Sequence, residues 1–287
     1  MILAEHQGNP YTLKVDAKHV YWTVSQGAVK RAPKAGLARG QAAEAVIQLP
    51  GARPLVLDAE WVYVANATTI VRANKADPLM VDTLVAGQQS IESVALDGAF
   101  VYWSDGAAGT VSRKPKDDPS ASTTVVATGE LAPSRVAVEG TWVYWATADA
   151  AAPAIRRALK DGSRAAEQVV ALQPGATVNG LVVESTGIYW TEAASIWRAP
   201  LEPLPDGSAP LQLSAPTGTA ADLVLDGDYV YFSQYIHGDV SRVPKEGGAT
   251  VDLYANPDTG IWPVDQDEVA VYFGYTGGDG WVSRIAK

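Results

Sequence analysis

Cysteine is absent from the 287-residue chain, so disulfide staples, thiolate metal sites and a cysteine nucleophile are excluded. Phenylalanine is almost absent, with three residues against nine tryptophans and twelve tyrosines. Most of the tryptophans and tyrosines fall on a repeat, where packing between repeat units is the expected role. Positive charge is in deficit: the formal net charge is −10 and the isoelectric point is near 4.8. That balance argues against nucleic acid as a partner, because phosphate binding needs a basic surface. No apolar stretch is long enough to span a bilayer, so no membrane insertion is expected. No signal peptide precedes the first predicted strand, and the chain starts and ends almost at the expected fold boundary, as a trimmed, processed or designed chain would. Gly-x-Ser-x-Gly elbows and P-loops are missing.

What is present is a repeat. Tyrosines at 21, 63, 102, 144, 189, 231 and 272 are separated by 42, 39, 42, 45, 42 and 41 residues. Five residues before each stands an acid: Asp16, Asp58, Asp97, Glu139, Glu184, Asp226 and Asp267. After each comes an arginine, at 31, 72, 113, 157, 198, 242 and 284. A period near 40 residues built of short strands means a β-propeller. Each unit reads as four strands, A to D. In the sixth unit these are Asp222–Leu225, Tyr229–Phe232, Val240–Val243 and Thr250–Tyr254, with Asp226-Gly227 as the A–B hairpin turn. The fold class expected is all-β, a seven-bladed propeller of four-stranded antiparallel blades, with residues 1–287 as one domain.

The seventh unit stops after strand C, whereas the N-terminus supplies a spare strand, Ile2–Glu5, before the first strand A. Residues 2–6 are therefore expected to pair with residues 281–286 and close the ring. Lys14 and Asp265 stand two residues before their repeat acids, where the other five units have Ala or Val. Closure makes the first and last blades neighbours and so predicts that these two charges approach each other.

Tyr21-Trp-Thr23, Tyr102-Trp-Ser-Asp105 and Tyr189-Trp-Thr-Glu192 resemble the YWTD, or low-density-lipoprotein-receptor class B, repeat, and a similar likeness extends to bacterial secreted propellers with Val-Tyr-Trp and Arg-x-Pro repeats. The likeness covers the whole chain loosely. Blade 2 has Tyr63-Val64, blades 6 and 7 have Tyr-Phe, and the family's rings usually have six blades where seven units are counted here. The resemblance implies a ligand- or protein-binding platform rather than an enzyme, and favours an extracellular or cell-envelope location.

Propeller sites lie where the D–A and B–C loops converge over the channel, so the informative positions are those that break the repeat there. Three residues before each acid the chain is uniformly apolar. Four and five before, it becomes varied and polar or aromatic: Tyr11, Arg53, Glu92, Arg135, Asn179, Asp222 and Trp262 are the candidate ligand-binding residues. The B–C loops add Tyr235 and His237, the latter the best candidate for proton transfer. The bland alternatives are a merely wet channel mouth and a solvated loop histidine. His6 falls at the edge of the closing strand and His19 after an A–B turn on the opposite face, so the three histidines cannot form one metal triad. The acids of the A–B turns are explained by hairpin chemistry, and Gly277-Gly-Asp-Gly280 reads as a turn rather than a calcium repeat. No metal or other cofactor is expected.

These readings favour a non-catalytic binding module, expected to be monomeric, that holds a protein segment or small polar ligand over the channel. A propeller lyase or hydrolase at the same mouth would need several histidines or carboxylates at the inner strand ends, and Glu92 and Asp222 alone qualify. A per-blade lectin would repeat its binding residues, which this chain does not do. A designed or structural ring without ligand is the remaining alternative.

Overall fold

The computed structural model describes residues 1–205, 207–215, 218–256 and 260–287. These residues form seven four-stranded antiparallel sheets and no helix. Each blade runs A-B-C-D outward from the channel. Blade 6, for example, consists of Ala220–Leu225, Tyr229–Gln234, Asp239–Pro244 and Val251–Tyr254. In the last blade the order is Gly260–Gln266, Ala270–Thr276, Trp281–Ala286 and then Ile2–Glu5.

Closure follows the expected register, with Ile2 opposite Ser283, Ala4 opposite Val282 and Glu5 opposite Trp281. Leu3 and Ala4 are buried in a cluster with Leu13, Ala28, Ala32 and Val282, so the closing strand also packs onto blade 1. Beyond it, the amide of Gly8 donates to the carbonyl of Asp279 at 2.8 Å. The turn at residues 277–280 serves this joint. Gly280 has φ +62°, and a Cβ there would sit 1.5 Å from the carbonyl oxygen of Gly8, so only glycine fits.

The core is a set of blade-to-blade layers, and the repeat motif explains each. The tyrosines of strand B are buried. Their hydroxyls donate to the acid of the same blade: Tyr21 to Asp16, Tyr63 to Asp58, Tyr102 to Asp97, Tyr231 to Asp226 and Tyr272 to Asp267, at 2.7–3.1 Å. The other carboxylate oxygen of each of these acids caps its hairpin by accepting amides two and three residues on, as Asp97 does from Ala99 and Phe100. The hydroxyl two residues after the tyrosine staples to the next blade. Thr23 donates to the carbonyl of Arg53 at 3.3 Å and Ser233 to that of Trp262 at 2.6 Å; Ser104 donates likewise to Ser134.

A further register completes the belt. Lys34, Lys75, Lys116, Lys160, Lys245 and Lys287 each follow a strand-C arginine by three residues. Each reaches back to the acid of the preceding blade, at Asp267, Asp16, Asp58, Asp97, Glu184 and Asp226, over 2.5–3.0 Å. Blade 5 has Leu201 at this place, so Glu139 of blade 4 has no lysine. Burial opposes ionisation of the acids, but hairpin amides, tyrosine and lysine outweigh it, and Asp16, Asp97, Asp226 and Asp267 are held down to about 2. Strand-C arginines lie over aromatic rings, Arg72 over Trp61 and Arg157 over Trp142 at 4.0 Å each, and the same two pair with the strand-D acids Asp82 and Glu167.

Candidate functional site

The A strands wall a central cavity of about 610 Å³. Its lower wall is aliphatic where Val56, Ala95, Ala137 and Val182 face inward from blades 2 to 5. Its upper end is built differently, and backbone geometry is the reason. In six blades strand A shifts register near its start, for example between Pro10 and Leu13, Ala220 and Leu223, and Ile261 and Val264. A bulge re-aims consecutive side chains that would otherwise alternate. In blades 1, 3 and 5 the pairs Tyr11 and Thr12, Glu92 and Ser93, and Asn179 and Gly180 at these shifts line the cavity together, as do Arg53 and Pro54 of blade 2, where no shift occurs.

Seven of the nine candidates from the sequence share this one cavity: Tyr11, Arg53, Glu92, Arg135, Asn179, Asp222 and Trp262. Arg53 is exposed at the rim, 5.0 Å from the Tyr11 ring centroid. Asn179 donates to the carbonyl of Ala220 at 3.1 Å, which leaves its side-chain oxygen available. Tyr235 is outside the lining, but meets Trp262 edge-on at 5.7 Å and extends the aromatic rim. His237 is not brought to the cavity. Its ring packs against the backbone at Gly218, where a Cβ would come within 2.6 Å of it, and it faces Asp239. The length of the B–C loop sets that position, and the repeat does not encode it. The loop acids also have local tasks, since Asp105 is buried and accepts the amides of Gln89, Ser90 and Ala108.

The charge layout is asymmetric. Lys14, not among the candidate residues from the sequence, also lines the cavity and lies 4.0 Å from Asp265, as closure predicts. Asp265 accepts the amide of Val15 at 2.8 Å, tying blade 7 to blade 1. Asp222 does the same one blade earlier, accepting the amide of Val264 at 3.3 Å and its neighbour Leu223 at 2.9 Å. Burial raises both carboxyls above the ordinary range, against the opposing pull of Lys14. Burial works against the Lys14 ammonium as well, but Asp265 and Asp222 outweigh it and its pKa is raised. Two acids share one cation, so the lysine gains more than either acid. Arg135 stands apart from this cluster. Burial lowers its pKa, and Asp222 and Glu92 offset that only at a distance. Among the described residues no group of histidines and carboxylates is placed to hold a metal ion.

No protein-family profile matches the chain, and no curated protein matches it by sequence. Solved structures do match. A catalytically inactive histidine-to-alanine variant of virginiamycin B lyase from Staphylococcus aureus, with quinupristin, is 11% identical with a TM-score of 0.77, covering 100% of this chain and 98% of that one. The WD40 β-propeller domain of Doa1 is 15% identical with a TM-score of 0.79, covering 100% and 95%. A chain of the nidogen/laminin complex is 19% identical with a TM-score of 0.65, covering 86% and 97%. Likeness at these identities establishes the fold: this is a β-propeller, with neighbours of both binding and lyase types.

Proposed function

We propose that this ring is a non-catalytic binding module that holds a protein segment or a small polar ligand at the channel mouth. One observation carries the reading. The repeat is kept wherever it holds blades together, and it is abandoned at the mouth, where unlike polar and aromatic side chains surround a cavity large enough for a ligand. The opposite face carries the acids, already engaged by hairpin amides, tyrosines and lysines.

Support for binding over catalysis comes from what lines the cavity. None of the three histidines does so: His6 pairs with Asp279 outside it, His19 lies beside Tyr21, and His237 packs on Gly218. The lyase neighbour described above is inactive with a histidine replaced, whereas this cavity offers no imidazole for proton transfer. The nidogen/laminin neighbour and the Tyr-Trp repeat support a platform of the YWTD type.

A native mass-spectrometric survey of the purified protein for bound small molecules and metals tests the reading, followed by mapping of any ligand by crystallography. A ligand over the face bearing Asp97 and Asp226 would refute it. A bound divalent ion at the channel mouth would move the assignment to a lyase or hydrolase.

A further inference from the structure

We propose that the ligand of the channel mouth is a small organic carboxylate, anchored by Arg135 and resting its apolar body on Trp262 and Tyr11. The inference rests on the channel mouth being the binding site, and adds the chemical class of what binds there.

Arg135 is the residue that needs a partner. Its Nε is buried without any hydrogen bond, and no carboxylate lies within ion-pair distance of its guanidinium among the described residues. Arg31, Arg72 and Arg157 have acids; the Nε atoms of Arg113 and Arg242 are also buried without a hydrogen bond, but those guanidiniums lie over the Phe100 and Tyr229 rings away from the channel, so among them Arg135 is the one that lines the cavity. Arg135 is half-buried with its Nε shut off from water, and a buried donor without an acceptor is costly, a cost relieved where a ligand supplies the acceptor.

The acids nearest to Arg135 have other partners and make no ion pair with it among the described residues. Asp222 accepts two backbone amides, and Glu92 accepts the Ser90 hydroxyl at 2.6 Å. Lys14 is directed to Asp265. Unused positive charge in the lumen therefore lies with Arg135, and with Arg53 at the rim. The lining carries Lys14, Arg53 and Arg135 with Glu92 and Asp222, and Lys14 is paired with Asp265 behind it, so Arg53 and Arg135 are the cations left to face the lumen. The planar guanidinium fork matches a carboxylate in two parallel hydrogen bonds. A monoanion on Arg135 adds the least negative charge beside Asp222 and Glu92, which would repel a phosphate dianion more strongly. The T-shaped Tyr235–Trp262 pair and the Tyr11 ring supply the apolar surface above.

The test uses the full chain. Phenylacetate, the uncharged isostere phenylacetamide and the cation phenethylamine are titrated by calorimetry, together with a set of aliphatic and aromatic monocarboxylates up to about 10 mM, the weak end of specific binding. The Arg135 Nε–H resonance, assigned by its loss in Arg135→Lys, reports the site. At least one monocarboxylate is expected to bind and shift that resonance, with its amide at least tenfold weaker. Arg135→Gln and Trp262→Ala should each weaken binding at least tenfold, and Arg135→Lys less than Arg135→Gln, with the melting temperatures of the variants near that of the parent.

Amide and acid of equal affinity would overturn the carboxylate assignment, as would unchanged affinity in Arg135→Gln or failure of every monocarboxylate. If neutral or cationic compounds then perturb the Trp262 resonance, the channel mouth stands as a binding site and only the ligand class falls. If no compound of any charge perturbs a channel resonance, the binding reading falls with it. Tighter capture of a peptide C-terminus than of any small acid would refute the small-molecule assignment.

Discussion

Replacing Leu3 by alanine tests ring closure at a single side chain. Leu3 is 2% exposed and packs with Ala28, Ala32, Leu13 and Val282, at the joint of blades 7 and 1. Its backbone is also held, its carbonyl accepting the amide of Leu37 at 3.0 Å. Truncation to alanine removes three buried carbons, about 2.4 kcal/mol at about 0.8 kcal/mol each, and leaves a cavity that adds to this. The strand is the outermost of its blade and can partly collapse inward, so the low end of the leucine-to-alanine range, about 3 kcal/mol, is expected. At about 2 °C per kcal/mol for a domain of this size, the melting temperature should fall by about 6 °C. Ile2 on the same strand is 45% exposed, and Ile2→Ala should change stability by less than about 0.5 kcal/mol. Differential scanning calorimetry of both variants decides the matter. Equal effects would mean that the strand is not docked with one face inward, and closure by residues 2–5 would be wrong.

Lys14→Met removes the cation that Asp265 and Asp222 share, and should cost about 1–3 kcal/mol at neutral pH, less than the roughly 3–5 kcal/mol of a fully buried pair because water still reaches the lysine. Both acids already have raised pKa values, so that cost should shrink as the pH is lowered and they take up protons; a pH-independent cost in urea melts would refute the coupling. Leu201→Lys supplies the lysine that Glu139 lacks and should leave stability unchanged or raise it by up to about 1 kcal/mol; a loss above that in urea melts would show that blade 5 needs the leucine for packing. Asp16, Asp97, Asp226 and Asp267 titrate in the folded ring at about 2, below the unfolded value of 3.8. Their contribution is complete above the unfolded value and is lost as the pH falls through the folded one, roughly 1–2 kcal/mol each after allowance for partial exposure. The melting temperature should therefore drop steeply in that acid window, and a flat profile there would show that the belt does not stabilise the ring.

The blade count, the closing strand and the Lys14–Asp265 approach were all legible in the sequence, because each depends on a residue that recurs or fails to recur at a fixed interval. Strand boundaries were read within one or two residues, the closing strand 2–6 and strand D from Thr250 one residue long and inner strands short. Strand A of blade 6 begins at Ala220 rather than Asp222, since a bulge lets a strand continue through residues that break the alternating pattern. The lysine register was equally visible, three residues after each arginine, but its partner lies in the preceding blade about 60 residues away in sequence, as for Lys160 and Asp97, and nothing local announces it. At the mouth, positions counted from the repeat acid landed in the cavity. Tyr235 and His237 sit in a loop whose path follows its own turn, and counting could not place them.

The joint at Leu3 has a consequence in time. Of the strands of the ring, Ile2–Glu5 is made before all the others yet placed last, because its partner, Trp281–Ala286, is made some 280 residues later. Until then an apolar strand with Leu3 and Ala4 unburied trails from an incomplete ring whose first and last blades still expose their facing sides. Chains that lose this strand, or bind it elsewhere, are left open at one seam, and the same pairing offered by a second copy would join two such rings end to end.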